Sequence, residues 1–103
     1  MLHNMANVRC RQRRYDEAIA LFERALELIK RAYGGDSIQY GETLLAFAAC
    51  LNDANMRLSD ALEYVDLAIA MLHLSTDGAH PKFLLALEVK EEIEKKQKCQ
   101  FSR

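Results

Sequence analysis

Apolar residues recur at three- and four-residue intervals along most of this chain, the period of amphipathic helices. In residues 2–13, Leu2, Met5, Ala6 and Val8 share one face before the chain turns polar at Arg9 to Arg14, which predicts a short first helix. The next segment is expected to be capped by Asp16. It places Ala18, Leu21, Phe22, Ala25, Leu26, Leu28 and Ile29 on a broad stripe opposite Glu23, Arg24, Glu27 and Lys30. Gly34 and Gly35 predict its end at Tyr33. A third helix is expected from Ile38 to Ala54, and its centre, Leu44 to Leu51, is apolar nearly all round, so it requires cover on more than one side. After a polar link from Asn52 to Arg57, Ser59 is the expected cap of a fourth helix running to about Leu74, closed by a turn over residues 75–79. Pro81 suits the first turn of a fifth helix, with His80 or a neighbour as its cap. That helix changes character midway: Phe83, Leu84, Leu85 and Leu87 are apolar, but between Glu88 and Lys98 only Val89 and Ile93 interrupt the polar residues.

The pattern repeats. Tyr15 to Leu28 aligns with Leu58 to Met71 at a shift of 43 residues, superimposing Ala18 on Ala61, Ala25 on Ala68 and Leu26 on Ile69. Beyond each copy, Gly35 falls on Gly78 and Leu44 on Leu87. The repeating unit is therefore a helix, a glycine-containing turn and a second helix, which cannot bury its apolar face alone and must stack on neighbours. Ala6, Ala18 and Ala25 in one unit, and Ala48, Ala61 and Ala68 in the next, are the expected helix crossing points, because backbones approach closely only over small side chains.

Composition narrows the class. Half of the 103 residues are apolar, 28% are charged and one is proline, which fits one small soluble helical domain. A formal charge of −1 gives no global field toward nucleic acid or an anionic membrane. No apolar run approaches the ~18 residues of a membrane span, and residues 1–14 lack a signal-peptide core, so a cytoplasmic location is expected. Three cysteines without paired spacing suit a reducing compartment; Cys50 is expected in the core, with Cys10 and Cys99 as exposed thiols. These cysteines and His3, His73 and His80 show no metal-ligand spacing, so no metal is expected. The chain has no phosphate-binding glycine loop, zinc-protease helix motif or nucleophile elbow, and its paired acids lie on a charged helix without an apolar pocket. Neither enzymatic activity nor a cofactor is expected.

Tyr15, Ala18, Phe22, Ala25 and Leu26 together resemble the second-helix signature of the tetratricopeptide repeat. Gly35 with Asp36, and Gly78 with His80 and Pro81, resemble the turn of its longer, kinesin-light-chain-like variant of 42 residues. Thr43, Leu44, Phe47 and Ala48 stand where that variant has its first-helix core. Ile38 departs from the expected turn proline, the link from Leu51 to Leu58 is one residue longer than usual, and Lys90 and Glu91 replace a large and a small packing residue in the last helix.

The resemblance implies an all-α fold of about five helices, stacked as antiparallel pairs in a short right-handed superhelix. A first pair over 1–33, a second over 38–74 and a capping helix over 80–98 would form the single domain. It further implies a concave, partner-binding face lined by His3, Asn7, Cys10 and Arg11, then Glu42, Leu45, Ala49, Asn52 and Asp53, then Leu85, Glu88 and Glu92. A protein or peptide is the implied partner. The clamp by which chaperone-binding members hold the C-terminal tails of Hsp90 and Hsp70 is incomplete here, because Ala46 takes an asparagine place and Leu85 and Val89 take basic places. The cluster Arg9 to Arg14 reads as a solvated link rather than a nucleic-acid site, since no aromatic residue interleaves it. Two other roles stay open: homo-oligomeric self-assembly through exposed terminal helices, and an accessory lobe like the helical C-terminal lobe of SET/MYND lysine methyltransferases.

Overall fold

The computed structural model describes residues 2–35, 37–76 and 81–101, with side chains described over 5–35, 37–73 and 83–98. Among these residues the chain forms five α-helices and no strand: α1 (Leu2–Arg11), α2 (Tyr15–Tyr33), α3 (Ile38–Ala54), α4 (Leu58–Thr76) and α5 (Pro81–Phe101). The turn residues Asp36, Gly78 and His80 lie outside the described residues, as do the side chains of Leu2, His3, Pro81 and Cys99.

The glycine-containing end of α2 behaves differently from the two links within the pairs. α2 stops where expected, at Gly34, whose φ of 95° only glycine adopts without strain and whose N–H closes on the Lys30 carbonyl. Ser37 then caps α3: its Oγ accepts from the Tyr40 N–H at 3.2 Å and donates to the Gly34 carbonyl at 2.9 Å, joining both helix ends through one hydroxyl. The other two starts differ from expectation. α2 begins at Tyr15 behind Arg14, with no side-chain cap, so Asp16 lies in the first turn, where its charge still favours the helix N-terminus. α4 begins at Leu58, so Ser59 is likewise inside the helix. Both links reverse the chain through left-handed residues, Arg13 at φ 63° and Asn55 and Arg57 at 56° and 51°. The entry angle is thus set by the backbone rather than by a capping side chain.

Packing follows the alternation of small and large side chains. All six predicted crossing alanines are buried: Ala6, Ala18, Ala48, Ala61 and Ala68 at 0% exposure and Ala25 at 3%. Around them a run of rings crosses three helices. Phe22 of α2 stacks on Phe47 of α3 at 5.3 Å between centroids, and Phe47 stacks on Tyr64 of α4 at 5.0 Å. Leu44, Leu51, Val65, Leu72 and Ile93 complete the centre. Gly41 is buried opposite α4, and a Cβ there would lie 3.2 Å from Met71 Cβ, so glycine lets α4 pack closely on α3 at this point.

The five helices stack in two layers. The shortest dimension of the chain is 18 Å, about the thickness of two packed helices. α1 lies beside α3 and α3 beside α5, whereas α2 and α4 do not approach each other directly. The layer with the closer neighbours is the inner side of a curve, so α1, α3 and α5 form the concave wall and α2 and α4 the outer one. α5 is fixed by Ala86, Val89 and Ile93, all buried, and by Lys90 Nζ on Asp66 Oδ1 at 2.9 Å. In the repeat, Lys90 occupies the place of Phe47, so an ion pair ends the row of stacked rings.

Candidate binding face

On α3, Gln39 and Asp53 are exposed and Glu42, Ala46 and Ala49 half-buried, at steps of three and four that make one stripe along the concave wall. Glu42, Ala49 and Asp53 are three of the five α3 residues expected on this face. The other two lie beneath it: Leu45 is 3% exposed and Asn52 4%, closed over by neighbouring helices. Gln39 and Ala46 are not among the residues expected to line this face, although steps of three and four from Glu42 reach both.

Asn52 joins two walls instead of facing outward. Its Nδ2 donates to Glu92 Oε2 at 3.0 Å, and Lys96 Nζ donates to its backbone carbonyl at 2.5 Å. The second contact places a cation on a carbonyl of the last turn of α3, where the helix dipole favours it. Asn52 Oδ1 is buried and accepts no hydrogen bond among the described residues.

On α5, Leu85 is 48% exposed, and Glu88 and Glu92 are exposed on the same stripe, with Lys96 below them. On α1, Asn7 is half-buried and Arg11 exposed, while the side chain of His3 lies outside the described residues. The wall therefore has a floor of two alanines, with Glu42, Asp53, Glu88 and Glu92 along it against Arg11 and Lys96. α3 itself contains no Lys or Arg.

Cys10 is not the exposed thiol its charged neighbours suggested. It is half-buried and its thiol hydrogen-bonds the buried thiol of Cys50 across the α1–α3 seam, with Asp53 and Arg11 close enough to act on it electrostatically. Burial raises the Cys10 thiol above its ordinary value, with the Cys50 contact pulling the other way; burial also drives Cys50 far up. Both thiols are thus held neutral in the folded chain, and neither is an activated nucleophile. Iodoacetamide at neutral pH is expected to label Cys10 slowly and to spare Cys50 until the chain is unfolded, as read by peptide mass mapping. The same shifts carry a sign for stability. Above the thiol pKa of the unfolded chain, near 8.5, the unfolded state releases protons that the folded state keeps, so stability falls as pH rises. Cys50→Ala should flatten that alkaline slope relative to the unsubstituted chain in paired urea melts. An equal slope would contradict the buried, neutral thiol.

Two of the four arginines of the basic cluster, Arg9 and Arg14, are engaged within the chain. Arg9 Nε and Arg14 Nη1 both lie near Glu17 Oε2, at 3.5 and 3.7 Å, and Arg9 also donates to Gln12. Among the described residues no three His, Cys, Asp or Glu side chains are grouped to hold a metal ion, and no helix is long and apolar enough to cross a membrane.

With this geometry in place, comparison with protein families matches the chain to the family described as tetratricopeptide repeat over residues 1–73, which covers α1 to α3 and most of α4. No curated protein and no solved structure matches the chain.

Proposed function

We propose that this chain, which belongs to the tetratricopeptide repeat family, is a non-catalytic interaction module that holds a peptide or helix of a partner protein along the α1–α3–α5 wall. Repeats of this family generally mediate contacts between proteins. The observation that carries the reading is the stripe from Glu42 to Asp53 on α3, with half-buried Ala46 and Ala49 on its floor, flanked by Asn7 and Arg11 on one side and Leu85, Glu88 and Glu92 on the other. Small residues on the floor leave room for a chain, and acidic side chains along the walls attract cationic residues on it. The 43-residue shift supports the longer, kinesin-light-chain-like form of the repeat, and the odd cysteine count favours a reducing compartment such as the cytoplasm.

Charge reversal separates binding from folding. Glu42→Lys and Glu88→Lys are expected to abolish capture of a partner from lysate, read by quantitative mass spectrometry, with helicity and solution mass unchanged. Glu23→Lys on the outer wall is expected to leave capture intact. Equal capture by all three variants would remove the concave wall from consideration. A second reading, self-assembly, is favoured by Met5 and Val8, which are 49% and 47% exposed on α1. A light-scattering mass that falls on dilution, and falls further when both become serine, would assign that edge as an interface between copies.

A further inference from the structure

We propose that the α4–α5 edge is a second docking surface, built for an amphipathic partner helix with apolar side chains at one end of its contact stripe and Lys or Arg at the other. The repeat itself supplies the template. On α3, Gly41, Leu44, Ala48 and Leu51 form the buried stripe, and α4 closes over its start at Gly41, beside Met71 and Ala68. Shifted by 43 residues, these positions become Leu84, Leu87, Glu91 and Glu94 of α5. That stripe is uncovered: Leu84 is 69% exposed and Leu87 41%, and both glutamates are exposed.

A shallow depression open to solvent lies beside it on α4. Ser59, Leu62, Glu63, Asp66 and Leu67 line an open space of about 410 Å³, with Leu67 44% exposed. The α4–α5 seam at this edge is held by Lys90 on Asp66 and by Gln97 Nε2, which donates to Ser59 Oγ at 3.4 Å. At 100° per residue, Lys90 and Gln97 lie next to Leu87 and Glu94 on α5, so depression and stripe share one edge.

The chemistry of the occupant follows from the substitutions relative to α3. Leu84 stands where Gly41 allows the closest crossing, so an occupant cannot approach α5 as α4 approaches α3 and must reach it through longer side chains. Glu91 and Glu94 stand where Ala48 and Leu51 are buried, and Glu63 and Asp66 edge the depression. α4 has no Lys or Arg, while on α5 Lys90 pairs with Asp66 and Lys95 with Glu91 at 3.7 Å, and exposed Lys98 ends the stripe one turn beyond Glu94, so the occupant's cations fall over Glu91 and Glu94 and not beyond them. An occupant antiparallel to α5, as α4 is to α3, would set its C-terminal apolar residues over Leu84 and Leu87 and its Lys or Arg over Glu91 and Glu94.

The test is fluorescence anisotropy of a labelled synthetic helix with leucines in the C-terminal half of one stripe and lysines in the N-terminal half. A second probe carries glutamates in place of the lysines. The full chain is expected to bind the lysine probe. Leu84→Ser with Leu87→Ser should weaken that binding about tenfold or more, as should Glu91→Lys with Glu94→Lys, which should also bring in the glutamate probe. Glu23→Lys, on the outer wall of α2, should change nothing. Equal binding of both probes to the unsubstituted chain, or a lysine probe lost with Glu42→Lys but kept by both paired variants, which would put it on the concave wall, would overturn the proposal. So would a solution mass that drops in the serine variant without any probe binding, since a second copy would then be the occupant.

Discussion

Phe47→Ala is expected to cost this chain a large share of its stability. The ring is fully buried, stacked between Phe22 and Tyr64, and 5.9 Å from the Arg57 guanidinium, so its removal opens a cavity at the contact of α2, α3 and α4. Removing a buried phenylalanine costs about 3–5 kcal/mol, against ~5–15 kcal/mol for the whole stability of a small domain. In a domain of this size that corresponds to a fall of roughly 12 °C or more in the melting temperature followed by circular dichroism. Phe47→Leu should recover a large part of the loss, because it restores apolar volume without the ring contacts. A cost below ~1 kcal/mol for the alanine variant would mean that the three rings do not form the core.

The second large effect is expected at Gly41, where the size of the added side chain decides the outcome. A lone Cβ would lie 3.2 Å from Met71 Cβ and 3.8 Å from the Ala68 carbonyl oxygen. Gly41→Ala should therefore be close to neutral: the helix gains about 0.5–1 kcal/mol from losing glycine, offset by a small displacement of Met71. Gly41→Leu has no such outlet, since its branches meet both Met71 and the α4 backbone, and should cost about 1–3 kcal/mol. Urea melts of the two variants read this as opposite behaviour at one position. If leucine is tolerated as well as alanine, α3 and α4 do not cross there.

These two sites differ in how visible they are in the sequence. Phe47 sits in the run from Leu44 to Leu51, apolar on nearly all sides, and its burial follows from periodicity alone. The crossing alanines were equally legible, because a small residue recurring at 43-residue spacing among leucines has a mechanical reason to recur. Gly41 has no partner in the repeat, since Leu84 holds its place, and only the position of Met71 shows its purpose. The concave stripe was partly legible for a related reason. Glu42, Ala49 and Asp53 follow from helical spacing and the family resemblance, but Leu45 and Asn52, one step away on the same helix, are covered by neighbours. Spacing cannot say where a neighbour's edge falls.

Sequence by itself determined the five helices, the stops at Tyr33 and Ala54, the helix-pair repeat and the residues of its core. Each of these depends on which side chains lie three or four positions apart, a property of the local chain. Tertiary structure alone decided how the chain enters α2 and α4, through left-handed Arg13 and Arg57 rather than through Asp16 or Ser59 as caps. It also decided the pairing of Cys10 with Cys50, the clasp of Asn52 by Glu92 and Lys96, and the exposure of Leu84 and Leu87 on α5. Those features depend on the distance and angle between helices far apart in the chain, which a pattern along one helix does not encode.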